Sequence, residues 1–147
     1  MIYLMLHFYF YEASVKPGAK KLLSWMKEKN IPMAAATASD REHIEAAFKR
    51  LGIDGYFGRI FTCSEVGAGK RHPLIYEKAA AYLKAEPGEI LVFEDAFYAL
   101  VTAKNAGFRT VGVYDRFSED EQEALSRQAD IYLRNLIDWK WKERMIL

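Results

Sequence analysis

The stretch ILVFEDAFYALVTAKNAG, residues 90 to 107, decides the fold predicted for this chain. Its four leading residues are apolar without alternation, which indicates a strand buried on both faces, as in parallel sheets covered by helices. Two carboxylates, Glu94 and Asp95, follow directly, and a helical pattern then runs to Gly107. Because ligands of such sheets gather beyond the carboxyl ends of the strands, these two acids are candidates for chemistry.

Composition restricts the classes of function. The chain has 147 residues, which fits a single domain with a sizeable core. Its 21 basic and 20 acidic residues leave a net charge of +1, so the charge gives no reason to predict a nucleic acid or a membrane as partner, and we expect a small molecule. The only cysteine, Cys63, cannot form an internal disulfide, and we therefore predict a cytoplasmic location.

Strand and helix patterns alternate along the chain. This alternation predicts βαβ units and hence a doubly wound, Rossmann-like α/β fold, in which a parallel sheet carries helices on both faces. Two S-x-x-E spacings, Ser39 to Glu42 and Ser118 to Glu121, predict capping boxes at helix starts. The predicted strands are 31–37, 60–62, 90–93 and 110–114, and the predicted helices are 19–29, 40–51, 73–84, 96–106 and a polar helix after 118.

The acidic pair Glu94 and Asp95 has two interpretations. Carboxylate oxygens are the ligands that Mg²⁺ prefers, usually with water and a substrate phosphate completing the octahedron. Carboxylates are also favoured at any helix N-terminus, where they face unpaired amide groups and the positive end of the helix dipole. The pair by itself does not decide between a metal site and a helix start.

Two further residues are candidates for binding phosphate. Lys70 lies in a glycine loop before Pro73, where a lysine presents a compact positive charge to a phosphate or remains solvated. Thr37 ends a predicted strand, where its hydroxyl and the adjacent backbone amide of Ala38 can bind a phosphoryl oxygen. The alternative for Thr37 is that it helps Ser39 to cap the following helix.

Together these motifs resemble the haloacid dehalogenase-like (HAD) superfamily, in its phosphatase and β-phosphoglucomutase-like branch. The motifs are an apolar strand ending in Thr37, the pattern GK-x-x-P-x-x-Y beginning at residue 69, and an apolar strand ending in Glu94 and Asp95. The resemblance covers residues 17 to about 135. It implies that Thr37 and Ala38 bind the phosphoryl group of a small phosphorylated metabolite, that Lys70 is catalytic and stabilises a phospho-aspartyl intermediate, and that Asp95, assisted by Glu94, positions Mg²⁺.

The sequence departs from the family in one respect. The family's nucleophile lies in a D-x-D-G-T motif after the first strand, followed by an inserted cap domain that selects the substrate, and the 147 residues contain neither. A covalent route needs the nucleophile, and Mg²⁺ binding needs its full set of carboxylates. We therefore expect a HAD core without a cap, with weak Mg²⁺ binding and little or no phosphatase activity. The chain is then either a truncated enzyme or a non-catalytic remnant that binds phosphate or a protein.

The apolar opening, MIYLMLHFYFY at residues 1–11, is too short to cross a bilayer and lacks the basic start and cleavage site of a signal peptide. It is either a surrogate for the missing first strand or a remnant of the cap's returning helix. As a strand parallel to residues 31–37, it would bring Glu12 near the position of the missing nucleophile. If strand exchange completes the sheet instead, we expect a homodimer through this apolar segment.

Overall fold

The structure, a computed structural model, describes residues 16–136 in full and the backbone of Tyr3–Leu6. Within these ranges, every helix is too short or too polar to span a bilayer. The strands are β1 Tyr3–Leu6, β2 Met33–Thr37, β3 Arg59–Thr62, β4 Ile90–Glu94, β5 Arg109–Val113 and β6 Ile131–Leu133. The helices are α1 Ala19–Glu28, α2 Arg41–Leu51, α3 Cys63–Val66, α4 Leu74–Leu83, α5 Phe97–Asn105 and α6 Gln122–Gln128, with 3-10 turns at Asp54–Tyr56, Pro87–Glu89 and Arg116–Glu121.

The six described strands form one sheet in the order β3-β2-β1-β4-β5-β6. Every neighbouring pair of strands is parallel. The chain winds outward from β1 in both directions, since β2 and β3 lie on one side of it and β4, β5 and β6 on the other. The predicted doubly wound α/β fold is confirmed.

Two hydrophobic cores cover the two faces of this sheet. Alternate residues of a strand point to opposite faces, so each inner strand contributes to both cores. All five residues of β4 are buried, as its unbroken apolar run predicts. The first core packs α1 and α2 against Met33, Ala35, Leu91 and Phe93. The second packs α4 and α5 against Ala34, Ala36, Ile90 and Val92.

Strand β1 lies at the centre of the sheet, between β2 and β4. Its register aligns Leu6 with Ala35 on one side and with Phe93 on the other. For Tyr3–Leu6 the strand interpretation of the apolar opening therefore agrees with the structure, and the helical one does not. The rest of that opening, together with Glu12 at the proposed nucleophile position, lies outside the described residues.

Both predicted capping boxes are wrong. Helix α2 begins at Arg41 with Asp40 at the cap position and no side-chain cap hydrogen bond. Ser39 is thus one residue too early, and its amide instead donates to Thr37 Oγ1 over 3.0 Å. A 3-10 turn follows Asp115 where the second box was predicted, and α6 starts only at Gln122. The S-x-x-E spacing alone does not locate the cap, because it takes no account of the residue at which the preceding strand ends.

Candidate functional site

The site forms at the carboxyl ends of β2 and β4, on either side of β1. Leu6 is aligned with Ala35 and Phe93, so Thr37 and Asp95 each lie two residues beyond the same level of the sheet. Because neighbouring strands are about 4.8 Å apart, the two backbones are separated by roughly 10 Å. The predicted phosphate and metal residues therefore lie at the same end of the sheet, on either side of β1.

Glu94 is the centre of a buried polar cluster. Its Oε2 accepts a hydrogen bond from Lys70 Nζ over 3.0 Å and one from the Tyr76 hydroxyl over 3.1 Å. The side chains of Lys70 and Glu94 are fully buried. Tyr76 comes from α4, so the cluster joins the loop before α4 to the end of β4. The lysine is therefore not the solvated loop residue of the alternative interpretation.

The second oxygen of Glu94 faces the start of the next helix. Glu94 Oε1 accepts hydrogen bonds from the backbone amides of Asp95 and Ala96, over 3.2 and 3.3 Å. Both oxygens of Glu94 are thus engaged, one with the ammonium and hydroxyl of its neighbours and one with the backbone. The helix-start interpretation of the acidic pair accounts for this oxygen, and Glu94 acts here mainly as the residue that positions Lys70.

Burial and charge perturb the ionisable groups of this cluster in different directions. Burial lowers the pKa of Lys70, and the negative charge of Glu94 opposes that lowering. Burial also raises the pKa of Tyr76, and the charge of Glu94 raises it further. The phenol therefore stays protonated and donates to Glu94.

Asp95 differs sharply from its neighbour. Its side chain is 1% exposed, yet neither Oδ1 nor Oδ2 has a hydrogen-bond partner in the described part of the chain. Burial raises the pKa of Asp95 to about 7, with a further contribution from the charge of Glu94 and an opposing one from Lys16. Two buried carboxylate oxygens without donors are costly unless a cation accompanies them.

A lysine that the sequence did not single out is the nearest cation to Asp95. Lys16 Nζ lies 3.3 Å from Asp95 Oδ2, as an ion pair without hydrogen-bond geometry, and donates to the carbonyl oxygen of Tyr114 over 3.1 Å. It also lies 3.8 Å from Asp115 Oδ1. Lys16 precedes α1, whereas its partners follow β4 and β5, so only the topology brings them together. No local pattern in the sequence marks this contact.

Thr37 retains a hydroxyl proton that can be donated. The residue is 3% exposed, and its Oγ1 accepts from the amide of Ser39. That contact uses the oxygen as an acceptor and leaves the O–H free to turn toward a ligand. Ala38 is exposed directly beyond it, before α2. Thr37 and Ala38 therefore lie at the carboxyl end of β2, one buried and one exposed, and Thr37 accepts from Ser39 instead of helping it to cap α2.

An open cleft borders the buried lysine. It is lined by residues from the loop before α4 and by one residue of α5: Gly69, Lys70, Arg71, His72 and Tyr98. The guanidinium of Arg71 stacks over the Tyr98 ring at 4.7 Å from its centroid. Arg71 and His72 are exposed. Neither residue was predicted to be part of the site, and they add basic groups to its edge.

The carboxylate oxygens at the end of β4 meet only part of what a hard cation requires. Asp95 supplies two carboxylate oxygens without hydrogen-bond partners, which is the chemistry that Mg²⁺ requires. Glu94, in contrast, already uses both oxygens. Across residues 16–136, no group of three histidine, cysteine or acidic side chains is close enough to hold a metal ion. Asp95 is therefore the residue through which these side chains would contribute to a metal site.

Comparisons with known proteins identify the family and the fold of this chain. A family model for haloacid dehalogenase-like hydrolases matches residues 5–107. The validoxylamine A 7'-phosphate phosphatase of Streptomyces hygroscopicus subsp. limoneus is 32% identical over 124 residues, covering 84% of this chain and 56% of that protein. The structure of CbbY from Rhodobacter sphaeroides in complex with xylulose-(1,5)bisphosphate matches with a TM-score of 0.76 at 26% identity, covering 85% of this chain and 56% of that one.

A further structure, the HAD phosphatase of Thermococcus onnurineus, matches with a TM-score of 0.74 at 24% identity, covering 89% of this chain and 58% of that one. At that identity the likeness shows the fold. The chain thus spans little more than half the length of these relatives.

The buried ion pair makes a prediction for stability. Lys70→Met leaves the Glu94 carboxylate buried without its cation, and we expect it to lower the free energy of unfolding by about 3 kcal/mol or more. Lys70→Met combined with Glu94→Gln should cost less than the sum of the two single changes, because no unpaired charge remains. Urea denaturation measures both. Lys78→Met, on the exposed side of α4, is the matched control, expected within about 0.5 kcal/mol of wild type. If the loss in free energy of unfolding of the double variant equals the sum for the two single variants, the two residues do not form a buried ion pair.

The raised pKa of Asp95 makes a prediction for pH dependence. Folding raises that pKa from about 3.9 in an unfolded chain to about 7, so the folded state holds the proton more tightly between these values. The free energy of unfolding should therefore fall as pH rises from about 4 to 7. Asp95→Asn should match wild type near pH 4 and exceed it by up to about 4 kcal/mol at pH 8.

Urea denaturation across this pH range in the presence of EDTA, which removes divalent ions, measures the difference. A gap between the two chains that stays constant with pH would show that folding does not shift the pKa of Asp95 and would contradict the prediction.

Proposed function

The chain belongs to the haloacid dehalogenase-like hydrolase family, and we propose that its site binds the phosphoryl group of a small phosphorylated metabolite for HAD-type phosphate-ester chemistry. One observation carries this proposal. The Lys70 ammonium is fully buried and held by Glu94, next to a carboxylate whose oxygens lack hydrogen-bond partners among the described residues. An apolar pair of the same size would stabilise the fold about as well, so this arrangement suits a ligand that brings its own charges.

The proposed phosphate site uses residues from three segments. The Thr37 hydroxyl donates to one phosphoryl oxygen, and the amide of Ala38 donates to another, near the start of the eleven-residue helix α2. Lys70 supplies positive charge from the loop before α4, and Glu94 and Tyr76 fix the direction of its side chain. Because the ammonium is already in place, little reorganisation is needed when the phosphoryl group binds.

Mg²⁺ is the metal expected for this family, and in this chain Asp95 would hold it. When bound, the ion supplies positive charge that offsets the negative charge of the phosphoryl oxygens. Glu94 assists indirectly, because its two oxygens are taken by Lys70, Tyr76 and the backbone at the start of α5. In this proposal Asp95 binds the metal and Glu94 positions Lys70.

Whether these 147 residues turn over a substrate is a separate question. In the family the covalent step begins with an aspartate of the D-x-D-G-T motif, and this sequence has no such motif. Strand β1 holds the central position of the sheet, and its sequence YLML carries no carboxylate. This observation favours the second candidate function, a non-catalytic module that binds phosphate or a protein. An in-frame D-x-D-G-T motif encoded upstream of Met1 would favour the enzyme.

Two other features remain predictions. The cytoplasmic location rests on the single cysteine. The homodimer rests on an apolar opening that lies mostly outside the described residues, and sedimentation of the purified chain tests it directly.

The role of Thr37 predicts a loss of phosphate affinity. Thr37→Val keeps the size of the side chain and removes the hydroxyl donor, and we expect inorganic phosphate to bind about tenfold more weakly, as befits a hydrogen bond to a charged group. Isothermal titration calorimetry measures the change. The matched control is Thr102→Val, since that hydroxyl bonds to the Tyr98 carbonyl within α5. If the Thr37 variant and wild type bind inorganic phosphate equally well, Thr37 is not part of the phosphate site.

The missing motif predicts the activity of the chain as it stands. Mg²⁺-dependent hydrolysis of p-nitrophenyl phosphate should be negligible, because no residue of the D-x-D-G-T type is present to attack phosphorus. Asp95→Asn is then expected to change nothing measurable in this assay. Robust turnover that Asp95→Asn abolishes would overturn the prediction and show that another residue serves as nucleophile.

A further inference from the structure

We propose that Lys16 is a built-in cation of this site, which occupies oxygens around Asp95 that a divalent ion would otherwise use and thereby lowers the affinity of the chain for Mg²⁺. The inference rests on the metal role proposed for Asp95. It concerns a residue outside the motifs by which the chain resembles its family.

Three oxygens surround the Lys16 ammonium. Lys16 Nζ lies 3.1 Å from the Tyr114 carbonyl oxygen, 3.3 Å from Asp95 Oδ2 and 3.8 Å from Asp115 Oδ1. Two carboxylates and a carbonyl, all from the ends of β4 and β5, are oxygen donors of the kind that bind hard cations. The ammonium thus lies among ligands suited to a metal ion.

Lys16 is more buried than the next lysines along the chain. The side chain of Lys16 is 15% exposed, whereas the neighbouring lysines Lys20 and Lys21 at the start of α1 are exposed. An ammonium is strongly hydrated and leaves water only where other oxygens replace its hydration shell. The three oxygens around Lys16 provide that replacement, so its position is specific and not that of a solvated loop lysine.

Lys16 also balances negative charge around Asp95. The groups facing Asp95 are Glu94, Asp115 and Lys16, and the charge of Glu94 is already paired with Lys70. Lys16 is therefore the cation available to the remaining two carboxylates in the described part of the chain. Replacing it by a neutral side chain leaves this region more negative by one charge, which favours a divalent ion.

Lys16 and a Mg²⁺ ion on Asp95 would compete for the same space. Mg²⁺ binds carboxylate oxygens at about 2.0–2.1 Å, so an ion on Asp95 would lie within a few ångströms of the ammonium at its Oδ2. The two cations repel each other at that separation, with little solvent to screen them. Either Lys16 swings out when Mg²⁺ binds, or Mg²⁺ binds weakly, and both outcomes reduce the measured affinity.

The experiment is a Mg²⁺ titration of the whole chain, without phosphate, by isothermal titration calorimetry. Lys16→Met should bind Mg²⁺ at least tenfold more tightly than wild type, whereas Lys16→Arg, which keeps the charge, should remain weak. The matched control Lys20→Met, on the exposed side of α1, should be unchanged. Circular dichroism and urea denaturation establish that each variant is folded.

The outcomes separate this inference from the function on which it rests. If wild type binds Mg²⁺, Asp95→Asn abolishes binding and Lys16→Met binds no more tightly than wild type, the role of Lys16 is wrong and the metal role of Asp95 stands. If neither wild type nor Lys16→Met binds Mg²⁺, or if binding survives Asp95→Asn, the metal role of Asp95 is wrong and the inference falls with it.

Discussion

The buried ion pair between Lys70 and Glu94 is the interaction on which the site depends. Its nitrogen and oxygen are 3.0 Å apart, with both side chains inaccessible to solvent. An isolated charge at that depth would be prohibitive, so each residue requires the other. The pair ties the loop before α4 to the end of β4, and Tyr76 and two backbone amides complete the hydrogen bonds of Glu94. The Lys70 ammonium is thereby fixed at the carboxyl end of β4 before any ligand binds.

The parallel sheet determines what that cation can face. Since β2 and β4 flank β1 in the same direction, Thr37 and Asp95 emerge at the same level on either side of its end. The proposed donors for phosphate come from one side, and a carboxylate without hydrogen-bond partners among the described residues comes from the other. The two acids at the end of β4 therefore have separate roles despite being adjacent: Glu94 positions Lys70, while Asp95 is available to a cation, at present Lys16.

The sequence was sufficient for the features that local patterns encode. The apolar run before Glu94 predicts a strand buried on both faces, and β4 is one. Strand β6 was missed because its three residues follow a polar helix without a clear strand pattern. The contact between Lys16 and Asp95 was missed for a different reason, since it joins a loop before α1 to the end of β4 and depends on strand order alone. The S-x-x-E spacing likewise placed the cap of α2 one residue too early. The position of that cap depends on where β2 ends and how the chain turns after it.

Mapping where phosphate binds is the most direct test of the proposed site. Titrating inorganic phosphate into the ¹⁵N-labelled chain and following amide chemical shifts locates the ligand without relying on turnover. We predict that the largest changes fall on Ala38, Lys70 and Asp95, the residues at the ends of β2 and β4 and in the loop before α4. Shift changes confined to the amino ends of the strands, around Pro32 and Gly58, would contradict a phosphate site built around Lys70. The absence of any saturable change would contradict it as well.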